Sequence, residues 1–239
     1  MKLIFTIVLF VFCVFDAKAK EIKLALTHIP KVLEFGNDNA PYNRFLKAFF
    51  EHSNLQPTLE FMPSSRANKL LNEKRIDCIF PIIPTNSRTI STQFSDPING
   101  IRAHIFSLGP AVYTSLQQLR GKQVVYLRGY IFGDVIATEK SIGFFPVTSQ
   151  QAALGMLKKQ RADAYIDYVP DIRFVFNQAD LKLLKYDPTA PVIKDFDRLE
   201  CLNSPQGLEF LNSINRFLVV QKQQGHMTKL LGKYYVETN

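Results

Sequence analysis

Residues 67–77, Ala-Asn-Lys-Leu-Leu-Asn-Glu-Lys-Arg-Ile-Asp, and residues 153–163, Ala-Leu-Gly-Met-Leu-Lys-Lys-Gln-Arg-Ala-Asp, superpose at a constant offset of 86. Ala67, Leu70, Leu71, Arg75 and Asp77 fall on Ala153, Met156, Leu157, Arg161 and Asp163. In each copy the apolar positions lie three and four apart, the spacing of one helix face, and a run of β-type residues follows. The surroundings repeat as well. Before the first copy stand a strand at Ile22–Leu26, a helix over Asn43–Glu51 carrying Phe45, Phe49 and Phe50, and an alternating strand at Thr58–Met62. Ser64 or Ser65 caps the repeat helix, and a strand at Ile76–Ile79 closes the unit. Around the second copy stand a strand at Gln123–Leu127, a short helical stretch after Gly133 and an extended run Phe144–Val147. A Thr148/Gln151 capping box opens a helix through Lys158, and a strand at Ala162–Ile166 ends the unit. Both units read β-α-β-α-β. Strands joined by crossover helices pair in parallel, and right-handed crossovers place helices on both sheet faces. The expected fold is α/β with two lobes, each a doubly wound, mostly parallel sheet.

Composition agrees with a folded chain. Of 239 residues 46% are hydrophobic and 21% charged, ample apolar material for a core. The net charge of +8 leaves nucleic acid, membrane surface and anionic ligands open as partners. The N-terminus narrows these. Lys2 precedes an apolar run from Leu3 to Phe15, then Asp16 and Ala17-Lys18-Ala19, which reads as a secretory signal over residues 1–19 cleaved after Ala19. The run is shorter than the ~20 residues a spanning helix needs. Phe12 before Cys13 argues against lipidation. Cleavage leaves Lys20 to Asn239 with a charge of +7 and points to the periplasm, where nucleic acid is not an expected partner.

Cys78 and Cys201 remain in an oxidising compartment, as a disulfide or as two buried thiols. The four histidines are scattered, so no metal site is expected, and no cofactor is. There is no G-x-S-x-G, H-E-x-x-H or glycine-rich phosphate loop. The C-terminus is helical: Ser204 caps, Pro205 suits the first turn, and Leu208, Leu211, Ile214 and Leu218 share a face as far as Gly225. A last helix carries Met227, Leu230, Leu231 and Tyr234.

Ordered short pieces then carry a resemblance. Arg66-Ala67-Asn68-Lys69-Leu70-Leu71 leads to Ile76-Asp77, and Thr85-Asn86-Ser87-Arg88 precedes Phe94-Ser95-Asp96-Pro97. Leu119-Arg120-Gly121-Lys122 leads to Arg128-Gly129-Tyr130, and Arg161-Ala162-Asp163-Ala164-Tyr165, Phe210-Leu211-Asn212, Gly225 and Lys233-Tyr234-Tyr235 follow. In order and spacing the chain is similar to the family 3 extracellular solute-binding proteins, receptors that deliver polar amino acids and related solutes to ABC importers. The resemblance implies a type II periplasmic-binding-protein fold with a discontinuous first lobe, residues 20–100 plus 197–239. Residues 101–196 would form the second lobe, and the two crossings between lobes would form a hinge.

In open parallel sheets ligands sit beyond the carboxyl ends of the strands. The expected cleft is therefore lined by Thr27 and His28, Met62 to Arg66 and Pro81 to Arg88 in one lobe, with Arg128 to Phe132 and Asp167 to Val169 in the other. Arg88 is the leading candidate. The family's T-x-x-R arginine holds a ligand carboxylate, and a guanidinium presents a planar fork of donors. The competing reading is an arginine that ties the loop to its own lobe. Thr85 either adds a hydroxyl or caps a turn. Gly129 lets backbone approach a ligand, and Tyr130 covers its apolar part or packs on its own loop. Asp167 is a natural acceptor for an ammonium, or else an exposed strand-end carboxylate. Arg66, at a helix start where a cation opposes the dipole, is a second anion contact or a stem over apolar surface. His28 and Tyr42 are weaker candidates.

The chain also departs from the family. Pro81, Ile82, Ile83 and Pro84 fill a stretch where amino-acid receptors carry hydroxyls, and the spacing from Asp77 to Arg88 is one residue shorter. Tyr168 stands where the ammonium-binding aspartate is expected, with Asp167 one position early, and a one-residue shift turns a side chain to the other face. The expected function is a monomeric solute-binding protein taking a small polar, carboxylate-bearing solute for an ABC permease. Two alternatives stand beside it. One is a lyase- or dehydratase-like enzyme using Asp167 or His28; the other is a protein presenting its ligand to a membrane sensor.

Overall fold

Asp77 and Asp163 close the same turn in both repeats. Each carboxylate accepts from the first N–H of a neighbouring strand, Lys23 or Gln123, at 2.8 Å. The computed structural model describes residues 21–238 apart from 86–87, 131, 133–134 and 136–138. In chain order the elements are β1 (Lys23–Thr27), α1 (Pro41–Ser53), β2 (Thr58–Met62), α2 (Ser64–Asn72), β3 (Cys78–Ile82), β4 (Thr92–Phe94) and β5 (Asn99–Phe106). Then come β6 (Gln123–Leu127), β7 (Gly143–Val147), α3 (Gln150–Lys158), β8 (Ala164–Tyr168), α4 (Val169–Val175), α5 (Gln178–Leu183) and β9 (Ile193–Leu202). The helices α6 (Pro205–Gln223) and α7 (Met227–Leu231) end the chain. The offset of 86 holds to the residue: it carries α2 onto α3, β3 onto β8, and the left-handed Lys74 onto the left-handed Gln160 (φ 56° and 54°).

The strand order is β2-β1-β3-β9-β5-β8-β6-β7, with β4 also on β9. Each repeat supplies a parallel trio, β2-β1-β3 and β7-β6-β8. Between them run β5 and β9, antiparallel to each other and to β8 and β3 respectively. The two lobes of the type II fold thus share one mixed sheet. The expectation of mostly parallel pairing holds within each trio and gives way at the junction, because β5 and β9 reverse where the chain passes from one lobe to the other.

Helices cover both faces of both trios. On the first, Tyr42, Phe45 and Phe49 of α1 pack with Phe80, Phe210, Phe217 and Tyr234, all essentially unexposed, while Ala67, Leu70 and Leu71 of α2 cover Ala25 and Ile79 opposite. On the second, Val124 and Ile166 meet Phe132 and Leu119 on one side, and Val125 and Tyr165 meet Leu154 and Leu157 of α3 on the other. At about 1.5–3 kcal/mol per fully buried large apolar side chain, the continuous aromatic layer of the first lobe is a major source of its stability. α7 packs in this first core beside α1. Cys78 and Cys201 lie directly opposite each other on β3 and β9 and form a disulfide.

Several local expectations are corrected. Pro63, not a serine, precedes the first turn of α2, and no side chain caps it. α3 is capped by Ser149, whose Oγ accepts from the Ala152 N–H, in place of the Thr148/Gln151 box. β3 and β8 run further toward their carboxyl ends than Ile79 and Ile166. Leu208 is exposed, and Phe210 and Phe217 take its place on the buried face of α6. The signal segment lies outside the described residues, as does most of the helical stretch after Gly133. Among the described residues no helix is long and apolar enough to cross a membrane.

Candidate functional site

A cavity of about 440 Å³ opens where the carboxyl ends of both trios converge, within the range of small-molecule sites. Lobe one contributes Thr27 and His28 at the end of β1, Pro63 and Ser64 at the start of α2, and Pro81 to Ile83 at the end of β3. Lobe two contributes Leu127 to Tyr130 at the end of β6, Thr148 to Gln151 at the start of α3, Tyr168 at the end of β8, and Asp171 on α4. Ile101 of β5, Asp197 of β9 and Tyr234 of the C-terminal segment line it too, as do Ile29 to Lys31 and Val175.

Its depth is acidic and phenolic. Asp197 is 6% exposed and accepts a short hydrogen bond from the hydroxyl of Tyr42. Asp171 is 3% exposed and accepts from the Tyr234 hydroxyl at 2.9 Å, a bond between α4 and the C-terminal segment. Burial raises both carboxyls, Asp171 to about 6 and Asp197 to about 8, the Tyr42 bond pulling Asp197 partly back down and the charges of Asp171 and Asp195 pushing it up. The phenols of Tyr42, Tyr130, Tyr168 and Tyr234 are pushed well above their usual range by the same burial, so they remain neutral donors. Tyr168 stacks on Phe132 at 5.1 Å with rings 9° from parallel, and Tyr130 lies 5.9 Å from Tyr168. The cations on the wall, Lys31 and Arg128, are exposed.

Among the described residues two buried side-chain polar atoms make no hydrogen bond of full geometry: the Tyr130 hydroxyl, which nonetheless stands close enough to Asp171 to pull its carboxyl partly back down, and Gln150 Nε2, which has no partner. Both residues are on this wall. Native structures leave few such groups unpaired, so each calls for a reason in its surroundings. No group of three or more metal-ligating side chains occurs among the described residues.

The sequence-derived candidates divide. His28, exposed at the mouth, Gly129, Tyr130 and Tyr168 line the cavity. Gly129 adopts φ 88°, which a side chain would strain. Arg88, Thr85, Arg66 and Asp167 do not line it. Arg88 Nε donates to Glu200 Oε1 at 2.7 Å and its Nη2 to Glu200 Oε2, in the bidentate form, so the guanidinium ties its loop to β9 of its own lobe. Arg66 is exposed on the first turn of α2. Asp167 points into the core of lobe two, unexposed, accepting from the Tyr165 hydroxyl and from the Tyr168 N–H at 2.7 Å. β8 continues through Tyr168, so alternation sends Tyr168 to the cavity and Asp167 to the opposite face.

Asp171, Asp197, Tyr234 and Gln150 were not legible as site residues. A signal existed for two of them. Asp171 follows Pro170 in the first turn after a strand end, and Gln150 is 86 residues after Ser64 at the matching helix start. Asp197 and Tyr234 reach the cavity only through tertiary packing.

No family model matches the sequence, and no curated protein matches it either. Solved structures match its fold. The ligand-binding core of GluR0 from Nostoc punctiforme in complex with L-glutamate is 19% identical, with 90% of this chain and 99% of that chain covered and a TM-score of 0.72. An amino acid ABC transporter substrate-binding protein from Streptococcus pneumoniae bound to L-arginine is 16% identical over 90% and 94%, at 0.69. A histidine kinase sensor domain with similarity to periplasmic binding proteins is 18% identical over 90% and 96%, at 0.72.

Proposed function

We propose that this chain, which has the fold of the amino-acid-binding proteins, is an exported solute-binding protein that holds the cationic end of a small polar solute in its interlobe cavity. One observation carries the reading. The buried charged groups of the cavity are two carboxylates, Asp171 and Asp197, ringed by neutral phenols, while the cations on its wall, Lys31 and Arg128, are exposed. A buried carboxylate is costly to ionise without a counter-charge, and an ammonium or guanidinium supplies one. The aromatic faces of Tyr130 and Tyr168 suit the same group. The neighbours of similar fold that carry L-arginine or L-glutamate support a solute of amino-acid size.

In this reading residues 1–19 direct export to the periplasm. Residues 20–100 with 197–239 form one lobe and 101–196 the other, and they close about the β5 and β9 crossings. Closure is favoured because the ligand touches both lobes only when they are shut. An ABC permease receives the closed, monomeric form. The sensor-domain neighbour favours a membrane sensor as the alternative recipient. The chain binds and does not turn over its solute.

A thermal-shift screen of the mature protein against cationic, zwitterionic, neutral and anionic solutes tests this, since a ligand bound only by the native state raises its melting temperature. Cationic or zwitterionic hits, recovered unchanged by mass spectrometry, are expected. Hits confined to neutral or anionic solutes would sink the proposal.

A further inference from the structure

The cavity has a second polar end. The helix α3 begins at Gln150 on the lobe-two wall, and its first N–H groups, on Gln150 and Gln151, have no acceptor within the helix. Ser149 Oγ satisfies only the Ala152 N–H. The helix is nine residues long, with Lys158 at its far end and no acidic residue in its first turn, so its dipole presents a positive end that no side-chain carboxylate of that turn neutralises. An independent observation joins it. Gln150 is 1% exposed, yet its Nε2 has no partner, leaving a buried donor unmet at the same spot. Arg88, the fork that would otherwise receive an acid, is already held by Glu200.

We infer that the solute also bears a carboxylate, and that Gln150 Nε2 together with the free N–H groups at the start of α3 receives it. The inference rests on the proposed function, which places the cationic end at Asp171 and Asp197. Lobe two thus selects the acid through an amide and a helix end, with no buried cation. The solute is a zwitterion, and Gln150 is the residue that separates it from the corresponding simple amine.

Matched pairs test this by calorimetry: L-arginine against agmatine and L-lysine against cadaverine, each pair differing by the carboxylate. The native protein is expected to bind at least one amino acid about tenfold or more tightly than its amine, as loss of a charge-assisted hydrogen bond requires. Gln150→Leu should collapse that ratio toward one. Gln150→Glu, close in shape and so a guard against misfolding, should invert it by placing a like charge beside the acid. Arg120→Ala, which removes an exposed cation that does not line the cavity, should leave the preference in place. Equal affinities within both pairs for the native protein, a ratio that survives in Gln150→Leu, or a ratio that falls as far in Arg120→Ala as in Gln150→Leu, would overturn the inference while leaving the cationic site standing. Failure of all four probes to bind would overturn the proposed function together with it.

Discussion

Glu200, unexposed on β9, fills the guanidinium fork of Arg88, 112 residues earlier in the chain, and also accepts from the Thr92 hydroxyl at 2.7 Å. The arginine that the family resemblance assigns to a ligand is thereby committed to the fold. Removing one member of a buried pair leaves the other charge unmet, at a cost of about 3–5 kcal/mol. Arg88→Ala is expected to lower the urea midpoint strongly, and Glu200→Gln to lower it as well. At temperatures where each variant is still folded, calorimetry should give an affinity within a few-fold of native. A large loss of affinity in a folded Arg88→Ala protein would return the residue to the binding site.

The disulfide clamps β3 to β9 across 123 residues. A loop of that length removes unfolded-state entropy worth about 5 kcal/mol in the chain-entropy treatment, an upper figure because unfolded chains retain structure. Dithiothreitol should therefore lower the melting temperature of the native protein, and Cys78→Ala/Cys201→Ala should melt at the lower temperature with or without reductant. A melting point insensitive to both would show the clamp to be dispensable.

Asp197 gives stability a definite pH slope. Its carboxyl, raised to about 8 by burial, holds a proton in the folded state that the unfolded chain loses near pH 4. Between these limits the folded state binds more protons, so stability falls as pH rises. Asp171, raised to about 6, adds to the fall over the lower part of that window. Asp197→Asn keeps an acceptor for Tyr42 and carries no charge, so denaturation measured between pH 5 and 8.5 should show a shallower slope in this variant. An unchanged slope would place the titrating group elsewhere.

Much of the fold was legible because it is local and repeated. The match of Asp77 with Asp163 and of Arg75 with Arg161 reflects one turn used twice, with the aspartate accepting from the neighbouring strand in both copies. The strand ends were harder to read. Prolines at 81, 84 and 170 suggest punctuation, yet β3 passes through Pro81 and β8 runs up to Val169, and two further residues of β8 decide that Tyr168 and not Asp167 faces the cavity. β9 was hidden by its own charges. Its buried positions include Asp197 and Glu200, whose partners Tyr42 and Arg88 come from 155 and 112 residues away. No local pattern announces a buried carboxylate whose partner is so distant, and this is why the acidic wall of the site could not be anticipated.

The most direct test of the cationic site is a calorimetric titration of the tightest cationic or zwitterionic hit into the native protein, Asp171→Asn and Asp197→Asn at pH 8.5. There both native carboxylates are largely ionised by their raised values of about 6 and 8. Each neutral variant is expected to bind at least about tenfold more weakly, as loss of a charge-assisted contact in a closed cavity requires. Native affinity in both variants would contradict the account.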